Sequence, residues 1–132
     1  MKTLLPPGWP RPKGYSNGIS ARGRMVFTAG VIGWDETERF VARDIPGQFR
    51  QVLSNTLAIL AEDGAGPEHV VRMTWYITDR DAYAAALADI GAIYRELMGR
   101  HYPTMAVVQA AGLVEPGALI EIETTAVVPE DG

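Results

Sequence analysis

The sequence predicts an α+β fold in which a single β-sheet carries two helices packed on one face. Three observations lead to this prediction. Two long segments have apolar residues at the 3.6-residue spacing of an amphipathic helix, several shorter segments have the character of strands, and the two kinds of segment alternate along the chain. With 132 residues the chain has the length of one domain, and we take residues 1–132 as that domain.

The first part of the chain predicts an extended segment followed by a strand. Residues 1–18 contain four prolines, which favour an extended path along the surface. Residues 25–34, "MVFTAGVIGW", are rich in the β-branched and aromatic side chains typical of strands. Gly30 and Gly33 mark points where the backbone bends or another group approaches closely.

Two segments predict helices. The first follows Asp44 and stops at Gly64. Its apolar positions fall on one helical face: Phe49, Val52, Leu53, Leu57 and Leu60. The second, residues 81–100, is rich in alanine, and either Asp79 or Asp81 is available as its N-cap.

The strands around the second helix have one apolar and one polar side. In residues 68–79 the apolar side holds Val71, Met73, Trp75 and Ile77, and the polar side holds Arg72, Thr74 and Tyr76. A further strand starts through Pro103, and in the last strand Glu121, Glu123 and Thr125 alternate with Ile120, Ile122 and Thr124. If the apolar side meets the helices, the polar side faces water or another subunit, and we favour a subunit interface.

Composition argues against several classes of partner. The chain has 12 Lys and Arg against 16 Asp and Glu, and no basic run interleaved with aromatic residues, so we expect no nucleic-acid partner. The absence of cysteine excludes disulfides, thiolate nucleophiles and cysteine metal sites, and His69 has no second histidine at ligand spacing. With no signal-peptide core and no run of about 18 apolar residues, we expect a cytoplasmic protein without a membrane partner.

Five segments, taken in order, resemble the RidA (YjgF/YER057c/UK114) family. They are "GYSNGI" (14–19), "VFTAGVIGWD" (26–35), "QFRQVLSNTLAILAEDGAGPEHVVRMTWYITD" (48–79), "YPTMAVVQ" (102–109) and "IEIETTAVV" (120–128). The resemblance implies a chorismate-mutase-like α+β fold and a homotrimer with three clefts between neighbouring subunits. It also implies hydrolysis of reactive enamines and imines, such as 2-aminoacrylate, to keto acids and ammonia without a metal or organic cofactor.

The resemblance assigns roles to three residues. Tyr15 matches the family's tyrosine that closes over the ligand, and Gly30 matches the glycine whose backbone meets the substrate. Glu121 matches the first glutamate of the family's "EIEA" segment, which is linked to positioning a water. Glu121 is therefore the candidate catalytic residue, although an ion pair within a trimer is an alternative role.

Three positions depart from the family pattern. The family's strand usually opens Pro-x-Arg-Ser, and its arginine clamps the substrate carboxylate. In this sequence Met105 stands in place of the arginine and Ala106 in place of the serine, while Gly91 stands in place of an asparagine in the second helix. Methionine cannot imitate a bidentate arginine, so the three changes predict a reshaped pocket and a substrate other than the usual small 2-imino acids.

A cation from elsewhere could replace the clamp. Arg72, Arg100 and His101 are the candidates by sequence. A mid-strand arginine that faces glutamates is more often a buried ion pair, and a histidine after a helix end favours the helix dipole. Trp34, at a strand end beside a glycine, is a candidate wall of the cleft, whereas Trp75 is expected in the core.

Two functions remain open from the sequence. One is a cofactor-free enamine or imine deaminase, a hydrolase, acting for example on an aminomuconate-like compound, which related members deaminate. The other is a non-catalytic trimeric module that binds a metabolite or regulates a partner. The retained Tyr15, Gly30 and Glu121 favour the first, and the missing arginine favours the second.

Overall fold

A computed structural model of the chain describes residues 1–130. The strands are β1 Lys2–Leu4, β2 Gly18–Ser20, β3 Arg24–Phe27, β4 Val31–Ile32, β5 Val70–Ile77, β6 Thr104–Gln109 and β7 Ile120–Val128. The helices are α1 Ile45–Ala61, α2 Arg80–Ala85 and α3 Leu87–Met98, and a short 3₁₀ turn spans Pro67–His69.

The main sheet is mixed and has five strands. Its order is β3-β7-β5-β6, and β4 also pairs with β7. The central strand β5 is antiparallel to β7 and parallel to β6, and α2 and α3 form the crossover between β5 and β6. This leaves β6 at the edge of the sheet.

Helices α1 and α3 pack with β5 and β7 around one core. The side chains fully removed from solvent include Phe49, Leu53, Met73, Ile120 and Ile122. Both helices contribute to this single cluster, which confirms the predicted α+β fold with its helices on one face of a sheet. No helix in the described part of the chain is long and apolar enough to cross a membrane.

Helix α1 lies where the sequence predicts it. The Asp44 side chain accepts a hydrogen bond from the Gly47 N–H at 2.8 Å and so caps the helix, while Pro46 fits the first turn, where no intrahelical donor is needed. Gly64, with φ +73°, turns the chain after the helix in a conformation that favours glycine.

Three details differ from the prediction. The second helical segment breaks at Ala86, although Asp79 caps it as expected by accepting from the Ala82 N–H at 3.0 Å. The strand predicted over 25–34 is divided into β3 and β4. The N-terminal segment forms a separate two-stranded sheet, in which β1 pairs with β2.

A change of register in β5 corrects the predicted position of Val71. The pairing with β7 shifts between Val70 and Arg72, so that Val70 is fully buried and Val71 is only half-buried. Such a β-bulge adds one residue to a strand and moves the preceding side chain to the other face. Beyond the bulge, Met73, Trp75 and Ile77 are buried as predicted.

Buried Gln48 ties two loops to α1. Its Nε2 donates to the Ala42 carbonyl at 3.2 Å and the Gly117 carbonyl at 2.8 Å, and its Oε1 accepts from the Leu119 N–H at 2.8 Å. The side chain is 1% exposed, so water cannot replace these bonds.

We expect Gln48→Leu to lower the free energy of unfolding by about 2 to 4 kcal/mol, because it leaves buried backbone groups without partners. Urea denaturation measures the loss. The control is Gln51→Ala on the same helix, which removes a side-chain bond to Asn55 and should cost about 0.5 kcal/mol or less. Equal losses in the two variants would mean that Gln48 does not hold the loops.

Candidate functional site

A cavity of about 340 Å³ lies between α3 and the edge strand β6, and we call it the Met105 cavity. Its lining is mostly apolar and aromatic, and includes Tyr15, Trp75, Tyr83, Leu87, Ile90, Gly91, Tyr94, Tyr102, Met105 and Val107. Met105 is opposite Met73 in the sheet register, so its side chain is on the helix face, where it packs against the core. The structure thus brings together three of the predicted site residues: Tyr15, Gly91 and Met105.

The start of β6 holds the segment that carries Tyr15. The Ser16 N–H donates to the Pro103 carbonyl at 3.0 Å, and the Ser16 hydroxyl donates to the Tyr102 carbonyl at 2.5 Å. These two bonds place Tyr15 beside the cavity, where its side chain remains 44% exposed. An exposed aromatic residue on an extended segment suits a side chain that covers a ligand.

Stacked aromatic rings form the inner wall of the Met105 cavity. Tyr94 and Tyr102 stack with ring centroids 5.5 Å apart, and the Tyr94 hydroxyl donates to the His101 carbonyl at 2.5 Å. Burial raises the pKa of Tyr94 and also that of Tyr83, which is less deeply buried. Both phenols are therefore neutral at physiological pH.

Trp75 belongs to both the core and the cavity wall. It is 3% exposed and its ring lies 4.8 Å from that of Phe49, which confirms the predicted core position. Its indole N–H has no hydrogen-bond partner within residues 1–130. The cavity is therefore backed by a rigid aromatic side chain.

A second, more open cleft of about 770 Å³ contains Glu121, and we call it the Glu121 cleft. Gly30 and Trp34 also line it. A Cβ at Gly30 would overlap the Glu121 carboxylate and would lie 2.9 Å from its Cδ. The absence of a side chain at Gly30 thus leaves the space that the Glu121 carboxylate occupies.

Helix α1 positions the loop that carries Trp34. The Asn55 amide donates to the Ile32 carbonyl at 3.2 Å and to the Trp34 carbonyl at 2.7 Å. Trp34 then packs against Phe40, with ring centroids 6.0 Å apart. Asn55 lines the Glu121 cleft as well, although the sequence analysis did not identify it.

The two sites lie at opposite edges of the sheet, one beside β4 and the other beside β6, and the side chains of Glu121 and Met105 point to opposite faces. Glu121 is opposite Tyr76 in the register, on the polar face, whereas Met105 is on the helix face. Glu121 belongs to β7, and β5 lies between β7 and β6, so two strand spacings, about 10 Å, separate its strand from that of Met105. One small ligand cannot contact both groups within one chain.

Ala106 lines neither site. It is opposite Thr74 in the register, and its side chain is exposed on the polar face of β6. The residue in the serine position of the family pattern therefore points away from the Met105 cavity, because side chains alternate along a strand.

None of the three predicted cations lines the Met105 cavity. Arg72 is exposed, and within residues 1–130 it forms no ion pair, so the expected buried pair with the strand glutamates is not found within one chain. Glu123 instead accepts from the Tyr76 hydroxyl at 3.0 Å, which raises the pKa of Tyr76. Arg100 lines a neighbouring pocket beside the N-terminal segment.

His101 is held by the sheet rather than by a helix end. Its Nε2 lies 2.6 Å from the Val70 carbonyl, within hydrogen-bonding distance, which corrects the predicted role at the helix terminus. The cations that do line the Met105 cavity are Lys13 and Arg95, and the sequence analysis named neither. The available signal was that Arg95 follows Gly91 by four residues, one helical turn.

No three His, Asp or Glu side chains within residues 1–130 come together as a metal site. His69 accepts from the Gly66 N–H through Nδ1 at 2.9 Å, so this histidine has a structural partner.

Comparison with known proteins finds sequence and structural similarity along nearly the whole chain. The family model described as Endoribonuclease L-PSP matches residues 10–128. A RutC family protein of Synechocystis is 34% identical over 132 residues, 98% of each chain, and TdcF of Escherichia coli K12, provisionally named a reactive intermediate deaminase, is 33% identical over 96% of this chain and 95% of its own. The crystal structure of YyfB from Yersinia pestis, a Rid family protein of unknown function, superposes with a TM-score of 0.84 at 29% identity, over 96% of this chain and 98% of that one.

Proposed function

Since the chain belongs to the Endoribonuclease L-PSP family, which includes the RidA (YjgF/YER057c/UK114) proteins, we propose that it is a cofactor-free deaminase that hydrolyses a reactive imine or enamine. The position of Glu121 carries this proposal. Its carboxylate lies against Gly30 in an open cleft, and within residues 1–130 it forms no ion pair. An accessible, unpaired carboxylate can hold a water molecule and accept its proton.

The reaction needs only water and a proton acceptor. The water oxygen bonds to the carbon of the protonated imine as Glu121 takes one water proton, and the π electrons of the C=N bond move to nitrogen. Glu121 gives that proton to the carbinolamine nitrogen, the C–N bond breaks and releases ammonia as the hydroxyl oxygen forms the C=O bond, and the hydroxyl proton passes to the ammonia. The products are a keto compound and ammonium.

A complete site requires two subunits, because the Met105 cavity and the Glu121 cleft lie at opposite edges of the sheet, with the Met105 and Glu121 side chains on opposite faces. The cations Lys13 and Arg95 line the cavity. The acids Asp35, Glu36, Glu38, Glu115 and Glu121 line the cleft. Two different surfaces of opposite charge favour a head-to-tail contact, which closes into a ring. The resemblance to the family supports a homotrimer as that ring, with the ligand between neighbouring subunits.

Apolar side chains on the polar face also favour assembly. Met25 is 58% exposed and Phe27 is 62% exposed, and Phe27 is opposite Thr125 in the register. Large apolar side chains beside paired polar groups are typical of subunit interfaces.

We therefore expect light scattering at micromolar concentration to give three times the mass of one chain. Increasing salt should loosen the assembly, because it screens the charges that line the two surfaces. A mass of one chain across this concentration range would rule out the shared site.

The substrate differs from the usual small 2-imino acids, because Met105 offers a thioether where the family pattern has an arginine. Loss of a charge-assisted contact to a carboxylate costs roughly 2 to 5 kcal/mol when the contact is desolvated. A longer unsaturated compound, of which an aminomuconate-like molecule is one example, depends less on that contact. The acids of the Glu121 cleft repel a phosphate backbone, which argues against ribonuclease activity at this cleft.

A panel of imines generated in place from amino acids tests this proposal. Semicarbazide traps the imine, so a deaminase lowers the amount of semicarbazone formed. We expect suppression by the parent protein for at least one imine with a large side chain. A trimer that binds keto acids and suppresses no semicarbazone would instead support a non-catalytic binding module, the function that the absence of the clamp arginine favours.

A further inference from the structure

The guanidinium of Arg95 lies at the Met105 cavity because a glycine precedes it by one helical turn. Its Nη1 is 3.3 Å from the position that a Cβ of Gly91 would occupy. Side chains of a helix point back toward its N-terminus, so this guanidinium covers the turn that begins at Gly91, where no other side chain competes for the space. Arg95 and Gly91 both line the cavity together with Met105.

Arg95 is exposed, and no side chain within residues 1–130 forms an ion pair that explains the position of its guanidinium. The next residue, Glu96, instead binds Arg50 at 2.5 Å. The Arg95 carbonyl accepts from the Gly99 N–H at the helix end, but that contact belongs to the backbone. The guanidinium lies in the opposite direction, toward Gly91, so the charge does not serve the C-terminal carbonyls.

We propose that Arg95 binds the carboxylate of the ligand and so replaces the cation that is absent at Met105. Gly91 provides the space, and Lys13 adds a second positive charge to the same cavity. The ligand class follows from the remaining wall, which is apolar and aromatic: a 2-imino acid, or its 2-keto acid product, with a large apolar or aromatic side chain that packs against Met105 and Trp75. The imine in this statement rests on the proposed function, whereas the binding of the keto acid does not.

The size of the cavity fits this class. Cavities that enclose small organic ligands begin at about 300 Å³, and the Met105 cavity has about 340 Å³. A three-carbon acid would leave the exposed side chains of Leu87 and Val107 in contact with water. An aromatic side chain would cover them and displace that water.

Calorimetric titration with two matched probes tests the proposal. The first probe is 2-oxo-4-phenylbutyrate, and the second is 4-phenyl-2-butanone, which has the same ring and carbonyl group without the carboxylate. We expect Arg95→Met to weaken binding of the first by roughly tenfold or more, the scale of a charged hydrogen bond, and to leave binding of the second unchanged. Arg95→Lys should lose less, and pyruvate should bind the parent protein more weakly than the first probe.

Arg100→Met is the control, since Arg100 lines the neighbouring pocket instead of this cavity. It should bind the keto acid like the parent. Unchanged affinity of Arg95→Met for 2-oxo-4-phenylbutyrate would overturn the proposal. A lower mass in light scattering together with unchanged affinity would overturn it too, and would make Arg95 an interface residue. Keto-acid binding that depends on Arg95 in a protein without imine turnover would contradict the proposed function and leave this inference standing.

The Gly91→Ala variant distinguishes an effect on anion binding from an effect on the stability of the helix. A Cβ at 3.3 Å from Nη1 shifts the guanidinium by a few tenths of an ångström, so we expect keto-acid affinity to fall measurably but less than in Arg95→Met. Alanine forms helices better than glycine, so the melting temperature should rise at the same time. In the Arg95→Met background the affinity change at position 91 should vanish, and an undiminished change there would contradict the pairing of Gly91 with Arg95.

Discussion

Replacing Glu121 by glutamine is expected to lower kcat for imine hydrolysis by about a hundredfold or more while the fold and the assembly remain intact. Glutamine keeps the shape of the side chain and can still hydrogen bond to water, but it cannot accept a proton. The neighbouring backbone is tied into β7 on both sides, by pairing with Ile32 and Tyr76, so the substitution leaves the strand in register. The measurement is steady-state turnover of the best imine in the panel.

Glu62→Gln is the matched control, because Glu62 is an exposed carboxylate after α1, away from both sites. It should turn over the imine at the rate of the parent. If Glu121→Gln keeps its turnover but dissociates at a higher protein concentration than the parent, Glu121 is an interface ion-pair residue, and the proposed base is wrong.

Gly30→Val is expected to lose both turnover and stability. The new Cβ would overlap the Glu121 carboxylate, so either the carboxylate leaves its position or the backbone around β4 shifts. Overpacking of this kind costs about 1 to 3 kcal/mol, and turnover falls with it because a base displaced by an ångström no longer meets its water. Thermal unfolding and imine turnover of the same preparation measure the two losses.

Gly112→Val is the control for Gly30→Val, since a Cβ at Gly112 would meet no atom within 4 Å. Gly23 is unsuitable as a control, because its φ of +151° and the nearby Val128 carbonyl make any side chain there unfavourable. Equal losses for Gly30→Val and Gly112→Val would make Gly30 an ordinary strand glycine.

The spacing of apolar residues correctly predicted the helix α1 and the strand β7, because their buried positions carry apolar side chains. The spacing of Phe49, Leu53 and Leu60 fixed the inner face of α1, and the alternation through Ile120 and Ile122 fixed that of β7. The prediction that Val71 is buried was wrong because of a β-bulge, which shifts the register and is not marked by a distinctive residue type. Val70 and Val71 are the same residue type, so the sequence does not show which of them enters the core.

The break at Ala86 could not be predicted for a related reason. The surrounding residues are mostly alanine, which favours helix at every position and supplies no cap, proline or glycine to mark an end. Tyr83 and Ala86 both pack against the core, and this tertiary contact leaves no pattern in the local sequence.

The candidate site was predictable only in part of its lining and not in its arrangement. Matching motifs identified Tyr15, Gly30 and Glu121, and the departure at Met105 predicted an altered pocket. Motifs carry no information on which side chains share a cavity, so the opposite faces of Met105 and Glu121 emerge only from the sheet register. Arg95 was missed because its reach depends on the missing side chain of Gly91, a contact across one helical turn.

Mixing two inactive variants tests the central claim that the site is shared between subunits. Glu121→Gln disables the Glu121 cleft, and Gly91→Phe fills the Met105 cavity, so each variant alone should be inactive. If neighbouring subunits supply the two parts, co-refolding equal amounts restores about a quarter of the clefts, and with them about a quarter of the parent turnover. Mixed trimers, confirmed by a mass tag on one variant, that remain inactive would contradict the claim and place the chemistry within a single chain.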